Sequence, residues 1–215
     1  MKDLDVPTLI ESSALAAGGR AATKKALRAA VRTRLRALGP VPPASSAQAI
    51  ERLIQSRLLE NATCVALFRA LPSEPDIGAL EAMLLSRGVS VCLPLVHEGQ
   101  RELTFHRAGG ALMRGPLGIE QPETGRERID ESQIDVFVVP ALALDLHGNR
   151  LGHGRAHYDA TLAAAPRALR IGLVREAALV PEVPVGEHDA PLDALCTEAR
   201  FICFTERAKA AAAHR

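Results

Sequence analysis

The chain has 215 residues, 47% of them hydrophobic, and 26 Lys+Arg against 25 Asp+Glu; this is the composition of one large globular domain and excludes wholesale disorder. A formal charge of +1 argues against a protein devoted to nucleic acid, and five Phe, one Tyr and no Trp argue against a platform that stacks several bases. No apolar run reaches the roughly 20 residues that would span a bilayer, so no membrane partner is expected.

Residues 1–22, rich in Ala, Ser and Gly, predict a flexible leader, and their early acids do not fit a secretory signal. Thr23 is the expected N-cap of a helix over 24–38 that Gly39-Pro40 stops. A second helix is predicted over 45–60, where Ile50, Leu53, Ile54 and Leu58 form a stripe. Strands and helices then alternate: strand 64–68, helix 77–87, strand 89–93 and a short edge strand 103–106. A loop-rich stretch over 109–133 precedes the most apolar β-type run, 136–139. A helix over 158–165, a strand over 170–174 and final strands around Cys196 and 201–204 complete the pattern, with 206–215 as a C-terminal tail. Short apolar strands between helices predict an α/β fold, a single three-layer domain over 23–205 with a mostly parallel central sheet flanked by helices. Ligands are expected at the carboxyl ends of the strands, in the loops after Phe68, Leu93, Val139 and Val174. Cys64, Cys92, Cys196 and Cys203 lie far apart in apolar runs, which suggests neither zinc pairs nor disulfides and predicts a reducing, cytoplasmic setting.

Two segments carry charge in a pattern that points to anions. No acidic residue occurs between Glu11 and Glu51, and the first helix holds an apolar stripe of Leu27, Val31, Leu35 and Leu38. Lys24 and Arg28 border that stripe and can reach a nearby cleft, whereas Lys25, Arg32 and Arg36 point outward. A solvated basic face, binding RNA loosely or nothing, is the plainer reading of the same run. The second segment, from Asp145 through Gly148, Arg150, Gly152, Gly154 and Arg155 to Tyr158 and Asp159, follows the most apolar strand and enters a helix. Glycines there let a backbone approach a ligand and expose N–H groups, the arginines add positive charge, and Asp159 can hold Mg²⁺ beside phosphates. The dinucleotide fingerprint fails at His157 and the P-loop fails at His153. A metal-dependent hydrolase using His153, His157 and His188-Asp189 is a further reading of the histidines.

Arg150-Leu-Gly-x-Gly-x-x-x-Tyr158-Asp159-x-x-Leu162 after Asp145-x-x-Gly148 resembles the signature of the 5-formyltetrahydrofolate cyclo-ligase family. Four further blocks resemble the family in its order: Lys24-Lys-Ala-Leu-Arg28, Leu71-Pro-Ser-Glu74-Pro-Asp76-Ile, Leu117-Gly-Ile-Glu120-Gln-Pro122, and Val185-x-x-His188-Asp189-x-x-Leu-Asp193. The resemblance implies an enzyme that uses ATP and Mg²⁺ to cyclise 5-formyltetrahydrofolate to 5,10-methenyltetrahydrofolate, acting as a monomer on small molecules alone. It places ATP at Lys24, Arg28, Arg150, Leu151, Gly152, His153, Gly154, Arg155, Ala156, His157 and Tyr158, with Arg150, Arg155 and Tyr158 as catalytic groups. It places the folate substrate at Leu71, Asp76 and the His153, Gly154, Arg155, Ala156 and His157 stretch, and Mg²⁺ at Asp159 and Asp189. Read from the residues alone, Asp76 is equally a helix N-cap and Asp189 equally a loop solvator. Ala156 stands where family members carry glycine, His157 where they carry tyrosine, and Leu144 where Phe is usual. A relative that binds nucleotide or folate without turnover is therefore the alternative function.

Overall fold

The structure is a computed structural model that describes residues 20–97, 99–100, 102–115, 118–154, 157–187 and 189–213; most of the expected leader lies outside them. The first helix, α1 (Arg20–Leu38), begins three residues before the expected cap, so Thr23 lies in its first turn. Leu27, Val31 and Leu35 are buried as the stripe requires, whereas Leu38 at the helix end is 51% exposed. Helix α2 (Pro43–Gln55) starts with proline, whose fixed φ suits a first turn, and ends earlier than expected. It stops there because Arg57 turns into the left-handed region at φ 65.

Strands β1 (Cys64–Ala66), β2 (Ser90–Val96), β7 (Val136–Val139), β10 (Leu169–Leu173) and β11 (Ala194–Cys196) form the parallel centre of an eight-stranded sheet. Antiparallel β3 (Leu103–Arg107) and β6 (Arg128–Ile129) extend one side, and β12 (Phe201–Cys203) closes the other. The edge expected at β3 is thus taken by β6. The stretch expected as loop also holds a small hairpin, β4 (Leu112–Arg114) with β5 (Glu120–Pro122). A second hairpin joins β8 (Ala143–Leu144) to β9 (Arg150–Leu151).

Alternate residues of the central strands feed two cores. Cys64, Ala66, Phe137 and Val139 pack with α1 and with α4 (His157–Ala164). Val65, Leu67, Val136 and Val138 pack with α2 and with α3 (Gly78–Ser86). Phe105 and Phe137 meet edge-on at 5.4 Å in the first core. The result is the three-layer α/β architecture that short, continuously apolar strands predict. Residues 206–213 form helix α5 (Glu206–Ala213), which is anchored by buried Ala208 and by Arg207 on buried Asp193. All four cysteines are free. Among the described residues no helix is long and apolar enough to cross a membrane.

The order β10-β7-β1-β2 sets the functional geometry. From β1 the chain crosses by α3 to β2 on one side, and from β7 it crosses by α4 to β10 on the other. The order therefore reverses between β1 and β7, and their carboxyl ends part to leave a crevice.

Candidate active site

A cleft of about 450 Å³ opens at that reversal. The segments after β1 and β7 line it through Phe68 and Pro140, as expected, whereas the stretch after Leu93 is not a loop: β2 runs on to Val96 and lines the cleft with Pro94 and Val96. The loop after Val174 does not reach it: Arg175 turns away and donates to the Gly39 carbonyl at 2.8 Å.

The β8–β9 hairpin delivers Arg150. Its turn is built around Asp145, which is fully buried and accepts from the backbone N–H groups of His147, Asn149 and Val183 and from the Asn149 side-chain amide, each at 2.9 Å. Gly148 takes φ +85 in this turn, and a Cβ there would stand 2.9 Å from the Phe204 ring. Two residues later, Arg150 is 7% exposed, pairs through one guanidinium nitrogen with Asp159 in the first turn of α4, and lies 5.7 Å from the Tyr158 ring centroid.

Helix α1 supplies the facing cations. Lys24 pairs with Asp189 at 2.5 Å, and that carboxylate also accepts from the Gly186 N–H. Arg28 donates to the Gly152 carbonyl at 3.0 Å and Arg32 to the His153 carbonyl at 2.8 Å, so two arginines one turn apart hold the glycine loop. Arg32, expected to point outward, is exposed yet lies on the rim of the cleft. Burial and then repulsion by Arg32 hold the Arg28 guanidinium below its ordinary pKa, against the opposing pull of Asp189 and Asp159. An anion entering beside it would relieve that repulsion. Tyr158 responds oppositely: burial, then the Glu74 charge, pushes its phenol up, so it remains a neutral donor near pH 7.

Glu74 and Arg69 are site residues that sequence reasoning passed over. The Glu74 carboxylate, 6% exposed, accepts from the Leu71 N–H at 2.9 Å and meets His153 Nε2 at 3.0 Å, tying the β1 segment to the glycine loop. Arg69 lines the same cleft and is held by a two-point pair with Glu81. Their burial is a tertiary fact, and both types read as surface residues in a sequence.

Of the sequence candidates, Lys24, Arg28, Leu71, Arg150, Leu151, Gly152, His153, Gly154, His157, Tyr158, Asp159 and Asp189 converge on the cleft. Arg155, Ala156 and His188 lie outside the described residues. Asp76 does not line the cleft, and it is not the N-cap either: Ile77 holds that position, and the Asp76 carboxylate, one residue earlier, accepts from the Gly78 N–H at 3.0 Å. The shared helical face that the hydrolase reading gives its two histidines is not formed. His157 begins α4 while His153 sits in the preceding loop, and no group of three or more His, Cys, Asp or Glu is placed to hold a metal among the described residues. Asp159 and Asp189 nonetheless face the same cleft as part-exposed oxygen donors, a pair that suits a hard cation completed by phosphate oxygens and water.

A doubly wound α/β domain with a glycine loop and several cations around the cleft at its switch point belongs to the class that holds a ligand there. A family model described as the 5-formyltetrahydrofolate cyclo-ligase family matches residues 20–198, and the chain belongs to that family of ligases. The chain is 30% identical over 177 residues to a 5-formyltetrahydrofolate cyclo-ligase of Escherichia coli, covering 79% of this chain and 97% of the relative. A Mycolicibacterium smegmatis protein of the same name is 31% identical over 189 residues, covering 84% and 96%. The solved structure of Aquifex aeolicus 5,10-methenyltetrahydrofolate synthetase superposes with a TM-score of 0.64 at 26% identity, covering 85% of this chain and 93% of that one. A Mycoplasma pneumoniae structure superposes at 0.66 with 19% identity, covering 81% and 98%, a likeness of fold.

Proposed function

We propose that this enzyme uses ATP to close 5-formyltetrahydrofolate into 5,10-methenyltetrahydrofolate, releasing ADP and phosphate. One observation carries the reading: the cleft joins a cationic, glycine-looped wall to an apolar one. Lys24, Arg28 and Arg150 form the first; Phe68, Pro94, Val96, Leu103 and Ile119 form the second. Phosphates suit the first wall and a flat reduced pterin suits the second. The γ-phosphoryl group passes to the formyl oxygen; N10 then attacks the formyl carbon and loses its proton, and the carbon–oxygen bond breaks to release phosphate. No protein nucleophile is needed. The chain's task is to align the reactants and to offset charge on the phosphoryl oxygens, for which Arg150 and Arg28 are placed. Tyr158, kept neutral, is a hydrogen-bond donor there. Asp159 and Asp189 would hold Mg²⁺, which when bound neutralises phosphate charge.

The test follows near-ultraviolet absorbance of the methenyl product with 5-formyltetrahydrofolate, ATP and Mg²⁺. Product should require all three components. A folded protein that binds ATP and gives no product would point instead to a non-catalytic relative. Within this reading, Asp189→Asn is expected to raise the Mg²⁺ concentration for half-maximal rate on the order of 10-fold. An unchanged metal titration would remove Asp189 from the metal site.

A further inference from the structure

The apolar wall of the cleft carries one polar side chain with a free donor. Gln121 on β5 is 7% exposed, and its Oε1 accepts from the Val96 backbone N–H at 3.1 Å. That bond fixes the sense of the amide: oxygen toward β2, and NH₂ elsewhere. Among the described residues Nε2 has no hydrogen-bond partner, yet it is not sealed from solvent, and the residue lines the cleft. The free donor therefore faces the cavity. Its position is built rather than incidental. A Cβ at Gly115 would stand 2.4 Å from Gln121 Oε1, so the glycine leaves the space the amide fills. The Gly115 N–H in turn donates to the Ile119 carbonyl at 2.8 Å, closing the turn that carries β5 over the cleft.

We propose that Gln121 is a specificity-determining residue: its NH₂ group donates to a ring carbonyl or ring nitrogen on the pyrimidine edge of the pterin. The inference rests on the reading that a pterin occupies this wall. Phe68, Pro94, Val96, Leu103 and Ile119 offer a flat ring contact area without direction. One donor fixed among them supplies the direction, and it rejects a ring lacking an acceptor because the amide would stay unpaired.

Gln121→Glu tests this most sharply, assayed at mildly alkaline pH where the carboxylate is ionised. Glutamate keeps the acceptor for the Val96 N–H and nearly the same shape, but turns the ligand-facing donor into an acceptor. The Michaelis constant for 5-formyltetrahydrofolate is expected to rise about 10- to 100-fold, with that for ATP unchanged. Gln121→Met, which removes the donor without adding charge but also the acceptor of the Val96 N–H, is expected to raise it roughly 10-fold with the ATP constant unchanged, and it serves as the second variant. An unchanged folate constant, or equal rises for folate and ATP, overturns the assignment. Calorimetry with 5-formyltetrahydrofolate alone separates the two levels of the argument. Wild-type protein that fails to bind it overturns the pterin reading and Gln121 with it. Wild type and variant that bind it equally well overturn Gln121 alone.

Discussion

Replacing Arg150 with methionine is expected to lower turnover by about a hundred- to ten-thousandfold while the protein remains folded. Methionine fills much of the buried channel that holds the arginine stem, so the substitution chiefly removes the guanidinium. Three features go with it: the ion pair with Asp159, the cation over the Tyr158 ring, and the positive charge facing the cleft. Their loss leaves Asp159 without its counter-ion, so a phosphate would meet much less positive charge on that wall. Arg150→Lys separates charge from shape. It retains the cation but not the planar fork, and its loss should be intermediate, about 10- to 100-fold. A double-mutant cycle with Asp159→Asn isolates the pair. If Arg150 acts only by holding Asp159, the double variant should be no slower than Asp159→Asn alone. Turnover by Arg150→Met at the wild-type rate would take Arg150 out of the chemistry altogether.

What could be read from the sequence follows from how each element is buried. Val136–Val139 is legible because a parallel strand covered on both faces must be apolar at every position. The β4–β5 hairpin is illegible for the opposite reason. Leu112–Arg114 is half or fully exposed, and Glu120–Pro122 ends in a proline that can sit only at a sheet edge. The glycine–arginine loop announced itself because glycines and arginines cluster without apolar periodicity. Lys24 and Arg28 followed from helix geometry, since the border of an apolar stripe is where a long cation reaches round the core. Glu74 and Gln121 could not be found this way, because only the packing of β1 and β5 around the cleft buries them. Asp76 is ambiguous for the opposite reason: an acid just before a helix suits a ligand or a turn equally, and in the fold its carboxylate accepts from the Gly78 N–H.

The largest effect on stability is expected from Asp145→Ala, a substitution that touches no ligand. The carboxylate is fully buried and accepts four N–H donors: three backbone groups and the Asn149 side-chain amide. Alanine would leave all four without this acceptor, the Val183 N–H in a fully buried setting. The cost should be about 3–5 kcal/mol, more than a single lost hydrogen bond because four donors lose one acceptor together and the buried donor keeps its desolvation penalty. For a domain of this size that lowers the melting temperature by roughly 6–20 °C. Asp145→Asn should fall between, since one oxygen still accepts while the new NH₂ group opposes a donor. The consequence for function is indirect but steep. The same turn sets the register of β8 and β9, and so the position of Arg150 against Asp159. Activity measured well below the melting temperature should therefore also fall, because a slipped hairpin misplaces the guanidinium even in folded molecules. A melting temperature within about 2 °C of wild type would show that the hairpin is held by its flanking strands rather than by this carboxylate.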